Sequence, residues 1–322
     1  MPNTSGEINI TLERLQTSFR TDRRELATMP LFSMSEILPY VTLITGLRHK
    51  LSVSELVGDM QVGNYDKTRR DDTDFKIDSR ELEVFFGSAI KGIDPNSIYQ
   101  SIWGSNITKG DGLKNVPIVK AVATYLMGKL GERLFENIWI AKHEAGGATT
   151  DKLFNGLKTI IDQEIAAGSM TVAKKSLFNL SSLTAANAED QFKDFYWTSH
   201  VKLRRQNLNL ICSPNAAHLY DESYQDNHGS LPYNQQYTKR TIEGSNGKCT
   251  IVPLANVPDN FLCLTTKENL LIGTNISSEW DTFNVEKSLS SHFLIDFVAT
   301  LFFGTQIRSI NPEMISVAEV SA

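Results

Sequence analysis

The sequence predicts an α+β protein, and three observations carry that reading. One stretch, Val116 to Lys142, repeats apolar residues at steps of three and four, the mark of a long helix. The C-terminal part, from Ser288 onward, is enriched in β-branched and aromatic residues, the mark of strands. Between the two, short helix and strand patterns alternate without the regular βαβ rhythm of a parallel sheet.

Taken in order, residues 1–30 mix polar and apolar positions without enough hydrophobic surface for a core, and read as a loose arm. Residues 35–48 read as a short helix with Ile37, Leu38, Leu43 and Leu47 inward. The stretch 50–90 is the most unusual. Between Asp59 and Glu83 there are five Lys/Arg and eight Asp/Glu, more than twice the chain average of 21% charged. Its ends, Val53–Val57 and Leu82–Phe86, carry apolar residues in strand-like order, and Asn64, Asp66, Asp71 and Asp72 supply turn chemistry. A long hairpin projecting from the body is expected, with Arg69, Arg70, Asp71 and Asp72 at its tip.

The long helix presents Val119, Val122, Leu126, Leu130, Leu134 and Ile138 on one face, with Pro117 at its start and Gly146-Gly147 beyond its end. Gly128 and Gly131 each weaken it by about 1 kcal/mol, so it must lean on other elements. Thr184 is the expected cap of a helix reaching about His200, with Ala188, Phe192, Phe195 and Tyr196 on one side. Leu208–Cys212 reads as a strand ended by Ser213-Pro214, followed by a helix from Asn215 to about Tyr224. Residues 225–248 read as a loop. Thr250–Leu254 and Phe261–Thr265 read as strands flanking Val257-Pro258, and Ser288–Phe303 and Gln306–Ile310 as long closing strands.

The whole-chain numbers bound the function. With 322 residues there is room for about two domain-sized units of roughly 150 residues. A net charge of -5 gives no overall electrostatic reason to hold DNA or an anionic membrane. Three cysteines without a close pair, Cys212, Cys249 and Cys263, argue against a disulfide framework and against a zinc site, and fit a reducing cytoplasm. Met1 to Arg24 lacks the apolar run of a signal peptide, and Phe293 to Phe303 is too short to span a bilayer.

The signatures of catalysis are missing. There is no GxGxxG; Gly247-Lys248 lacks the upstream glycine of a phosphate loop, Ile242 standing in its place. His143-Glu144 begins like a zinc-protease motif, but Gly147 replaces the second histidine. The six histidines are scattered, and Cys212 sits in an apolar run where a cysteine behaves as a small hydrophobe. Asp71-Asp72 beside Arg69-Arg70 read as a solvated or partner-facing salt cluster, since an exposed tip tunes pKa values little. No cofactor, metal or catalytic residue is expected. Two extensions that cannot fold alone point instead to work done through contacts with other chains.

The order of segments resembles the tailed-bacteriophage major capsid protein family, whose fold is called Hong Kong 97-like and is shared by encapsulin shells. The likeness divides the chain into an arm (1–30), a short helix with the extended loop (31–90), a peripheral domain with a spine helix at about 115–143 (91–180), an axial domain (181–275), and closing strands with the tail (276–322). Phe154-Asn155-Gly156-Leu157 looks like that family's turn into the peripheral domain. Ile251-Val252-Pro253-Leu254, Val257-Pro258-Asp259-Asn260, Lys267 through Gly273, and Phe303-Gly304-Thr305-Gln306 are further matches.

The resemblance implies a structural head protein that assembles with itself into hexamers and pentamers of an icosahedral or prolate shell, enclosing double-stranded DNA without sequence-specific binding. It implies a virion location after assembly in the host cytoplasm, a portal, and a separate scaffolding protein or none, since only about 30 residues precede the first expected helix. Some members of the family weld neighbours through a Lys–Asn bond; Lys67 and Lys76 lie in the loop region, but no acceptor is identified. Arg69, Arg70, Asp71 and Asp72 are the expected intersubunit contacts. An encapsulin-type nanocompartment, packed with an enzyme cargo, shares the fold and stays open. A soluble α+β enzyme is the reading from another class.

Overall fold

The computed structural model describes residues 26, 28–58, 62–67, 75–94, 117–229, 240–275, 283–288 and 294–320. Its strands are β1 (Thr42–Thr45), β2 (Leu51–Val57), β3 (Lys76–Leu82), β4 (Phe85–Ile93), β5 (Leu177–Leu180), β6 (Leu208–Cys212), β7 (Cys249–Pro253), β8 (Phe261–Thr265), β9 (Leu270–Thr274), β10 (Phe283–Lys287), β11 (Ile295–Ile307) and β12 (Ile315–Val320). The main helices are α1 (Pro117–Asn137), α2 (Leu157–Ala166), α3 (Ala188–Thr198), α4 (Val201–Arg204) and α5 (Pro214–His228).

One sheet is built on β11, the longest strand. β4 lies antiparallel along one edge, from Ile93 opposite Ile295 to Phe85 opposite Phe303; β10 and β9 also pair antiparallel with β11, and β1 runs parallel to β9. A second sheet has the order β5-β12-β8-β6-β7. Its strands alternate between two cores because successive side chains point to opposite faces. Ile211, Val252, Phe261, Cys263, Ile315 and Val317 enter the first core, with Trp139, Phe154, Leu157 and Phe303. Leu210, Cys212, Ile251, Leu262, Leu264 and Ala318 face a second core closed by α3 and α5 through Phe192, Phe195, Tyr196 and Tyr220. Burial on both faces is why Phe261–Thr265 and Leu208–Cys212 read as continuous apolar runs and not as alternating ones.

A third core joins α1 to the far end of the first sheet, through Ala123, Met127, Phe283, Val285, Phe297 and Ala299. The inward stripe of α1 is centred one residue away from the expected one: Ala123, Met127, Leu134 and Ile138 are buried, while Val122, Leu126 and Leu130 pack at its margin. Val119 has its side chain outside the described residues. Gly131 has a positive reason to be there, since a Cβ would stand 2.6 Å from the backbone of Pro30.

Several expectations are corrected. Residues 35–48 do not form a helix; they make a 3-10 turn, Leu38–Tyr40, and then β1. Pro39 tightens the turn, and Val41, Thr42, Ile44 and Thr45 favour a strand. The expected arm ends earlier, because residues 28–33 are helical and Leu26 is fully buried in the third core; residues 1–25 lie outside the described residues. The hairpin closes at Leu82, and Phe85 onward joins the first sheet. Helix α3 starts at Ala188, later than expected, with Asn187 in the cap position; the Asn187 side chain makes no cap bond and accepts from the Thr184 N–H at 2.8 Å instead. Helix α5 runs on to His228, its start capped by the Ser213 hydroxyl. The closing strands are one strand through Gly304 and Thr305 followed by β12, with no break at 304–305.

Candidate assembly surface

The hairpin is β2 against β3, in register from Leu51 opposite Leu82 to Val57 opposite Lys76. It is a two-stranded ribbon with no third strand among the described residues, and such a ribbon is marginal by itself in water. On one face Leu56 and Ile77 stand directly opposite each other, 66% and 63% exposed. Val62, Tyr65 and Phe75, further out, are exposed as well. On the other face Glu55 is opposite Asp78, and like charges so placed weaken the pair. An exposed apolar pair and a self-repelling acidic one are poor choices for an isolated hairpin and useful ones for a contact surface.

The root of the hairpin is built into the body. Gly304 and Gly273 face each other across β11 and β9. A Cβ on Gly304 would lie 2.1 Å from the Glu83 carbonyl oxygen, and one on Gly273 would meet Val84, Leu47 and Leu82 at 2.8 to 3.1 Å. The two glycines form a notch in which the chain leaving the hairpin lies flat on the sheet. Lys50 sits at the outer side between Glu83 at 3.3 Å and Glu81 at 3.4 Å, and its hydrogen bonds to Glu83 and Glu81 raise its pKa. Arg80 donates to Glu164 on α2 at 2.7 Å, both side chains about four-fifths buried. Gln306 joins the same contact, accepting from Arg80 at 3.4 Å and donating to the Glu81 carbonyl at 2.7 Å.

A second apolar surface lies on β4, where Phe86 and Ile90 share one side of the strand and are exposed; Phe86 leans on Phe302 with ring centroids 4.9 Å apart.

Arg69, Arg70, Asp71 and Asp72 lie outside the described residues. Of the two loop lysines, Lys76 opens β3 and Lys67 sits exposed in a turn. Sequence reasoning passed over Arg80 and Glu164, and took Gly273, Gly304 and Gln306 only as points of family likeness. A glycine inside an apolar strand pattern is the one local signal that pointed there, since it marks close approach of another backbone.

The residues weighed for chemistry take structural roles. Cys212, Cys249 and Cys263 are buried and unpaired, and burial pushes the thiols of Cys212 and Cys263 up to about 12 and that of Cys249 up as well. A thiol so held is not a thiolate at neutral pH. His143 stacks on Phe85 at 3.9 Å with its Nδ1 2.9 Å from the Leu153 carbonyl. Glu189, buried at the start of α3, bonds Asn227 at 2.8 Å, His228 at 2.9 Å and Lys193, fastening the end of α5. Among the described residues no group of three metal-ligating side chains comes together, and no helix is long and apolar enough to cross a membrane.

No protein-family model matches the sequence, and no curated protein matches it. Solved structures do. The capsid of a native GTA particle is 12% identical with a TM-score of 0.60, over 90% of this chain and 91% of that one. The capsid of cyanophage A-1(L) is 14% identical with a TM-score of 0.55, over 92% and 94%. The holo-SrpI encapsulin of Synechococcus elongatus PCC 7942 is 9% identical with a TM-score of 0.52, over 88% and 86%. The chain has the Hong Kong 97-like fold over nearly its whole length, and at these identities the likeness is one of fold.

Proposed function

We propose that this chain is the major head protein of a tailed phage, a structural subunit that assembles with itself into a closed shell around double-stranded DNA, and that it acts by contact and not by turnover. The observation that carries this is the hairpin: a lever with an exposed apolar pair and opposed acidic residues, rooted in a body whose fold is that of shell subunits. A ribbon that buries so little by itself gains stability by lying on a neighbour. In this reading Arg69, Arg70, Asp71 and Asp72 meet groups of an adjacent subunit and set register, as complementary charge does at reversible interfaces. The overall charge of -5 keeps the wall from clinging to the packaged genome. A separate scaffolding protein and a portal complete the set of partners, with assembly in the host cytoplasm and the virion as destination.

An encapsulin-type nanocompartment is the second reading, favoured by the fold likeness to an encapsulin. Electron microscopy of purified protein tests both. Closed shells, hexamers or pentamers are expected, and a 36.0 kDa monomer across concentration and salt overturns both readings. Shells formed beside a portal and filled by a DNA motor support the phage head; shells that enclose a specific enzyme when made in its native cell support the nanocompartment.

A further inference from the structure

We infer that Arg80 and Glu164 form a latch that fixes the direction in which the hairpin leaves the body, and that this direction sets the curvature of the shell. The inference rests on the shell reading for its second half only. The hairpin pivots at the glycine notch, where Glu83 and Val84 cross Gly304 and Gly273. Arg80 lies outward of that pivot, opposite Val53, two residues before Leu82 closes the ribbon. Its ion-pair partner belongs to a separate element, α2, so the contact ties the lever to the body at a second point. One point leaves a ribbon free to tilt; two points define its angle.

The geometry gives the latch leverage. Seven residues at about 3.4 Å each make an arm of roughly 24 Å, so a tilt of about 10° at the root moves the far end by about 4 Å. That is the scale on which intersubunit packing is won or lost. The guanidinium is committed to this contact. Nη1 meets Glu164, Nη2 meets Gln306, and Nε is enclosed without a partner, an arrangement kept only where the remaining bonds hold it. Gln306 is on β11 and also donates to the Glu81 carbonyl, so sheet, helix and hairpin converge at one place. Arginine suits this position because its rigid planar fork aims separate N–H groups at Glu164 and Gln306, where a lysine offers only a compact point charge on a flexible stem.

Charge reversal in both directions tests the latch. Arg80→Glu and Glu164→Arg are made singly and together, in the full chain, with Ser54→Cys and Ala166→Cys added for spin labels; the three native thiols are buried and stay unlabelled. Distances between the labels are read on unassembled subunits, and particle size by electron microscopy under assembly conditions. Each single reversal is expected to broaden the distance distribution by several ångströms and to spread shell diameters or yield open sheets. The double reversal is expected to restore both, which a merely structural role for either side chain does not predict. Single variants with an unbroadened distribution overturn the latch, whether or not shells form. Broadened distances with shells of unchanged size overturn the link to curvature. Wild-type protein that never assembles defeats the shell reading, while the distance measurement still decides the latch.

Discussion

The hairpin and the second sheet are both β structure, yet they share almost nothing in how they are held. In β8 every residue is buried, and its two faces feed two different cores. In β3 only Leu82, at the root, and most of the Arg80 side chain are withdrawn from water; the rest is exposed. The sheet contributes to stability through area removed from water, at about 25 cal/mol per Å². The hairpin contributes next to nothing that way within one subunit. One region fixes the fold and the other is left unfinished, and in the proposed shell the unfinished one is where a second copy has something to add.

That contrast can be broken most forcefully from the core side. Phe303 is fully buried in the first core, edge-on to Phe154 with centroids 4.8 Å apart. Phe303→Ala should cost about 3–5 kcal/mol, against a total stability of roughly 5–15 kcal/mol for a domain. Thermal melting should fall by many degrees or the protein should be insoluble; a melt within a few degrees of wild type would show that the core has been placed wrongly.

The root stands between the two regions, and Gly304 is its sharpest point. Gly304→Ala sets a methyl 2.1 Å from the Glu83 carbonyl, and backbone on both sides must move. A cost of about 1–3 kcal/mol is expected. Amide hydrogen exchange should quicken along β2 and β3 more than along β8. Uniform quickening across both would argue against a localised notch.

How far the sequence disclosed this contrast depends on where the information is held. Local pattern was enough for β6, β8, the first strand of the hairpin and the buried side of α3, because strand and helix periods are written in neighbouring residues; it put the hairpin's second strand at Leu82–Phe86, where the chain already passes into the first sheet. It was not enough for β1, where Ile37 and Leu43 fit a helix period equally well and only Pro39 and the pairing to β9 decide the matter. It missed that β11 runs unbroken through Gly304, because the glycine read as a stop when it is a close approach. The Arg80–Glu164 pair spans 84 positions and left no mark on either neighbourhood. Contacts of that kind are invisible until the chain is folded.

A smaller effect comes from Glu189, the ionic fastening inside the well-built region. Burial pushes its pKa up, but hydrogen bonds from Asn227, Lys193 and His228 outweigh that and leave it lowered. A carboxylate whose folded pKa lies below its unfolded value, about 4.3, stabilises the fold above that pH and loses the contribution as pH falls through the folded value. Glu189→Ala should therefore cost about 1–2 kcal/mol at pH 7, below the roughly 3–5 kcal/mol for breaking a fully buried pair because Lys193 and His228 can turn to water. Denaturant midpoints of wild type and variant should converge on going from pH 7 toward pH 3. A gap that stays constant over that range would mean that the lost packing, and not the charge, is responsible.

The smallest effect on the subunit is predicted where the effect on the assembly is largest. Leu56 and Ile77 face each other on the open side of the hairpin, each still about two-thirds exposed. A cross-strand pair of this kind contributes under about 1 kcal/mol to its own ribbon. Leu56→Ser with Ile77→Ser should therefore shift the melting temperature of unassembled subunits by only a degree or two. Covering both on a neighbour is another matter. Burying a leucine or isoleucine completely is worth about 1.5–3 kcal/mol, and most of that remains to be gained at this pair. Losing even about 1.4 kcal/mol per contact is a tenfold loss of affinity, and in the proposed shell every subunit would make the contact. The concentration at which the double variant assembles, followed by light scattering, should rise at least tenfold while its melt stays put. Assembly at the wild-type concentration would remove this face of the hairpin from the interface, and would leave the opposite face, with Glu55 and Asp78, as the side that meets a neighbour.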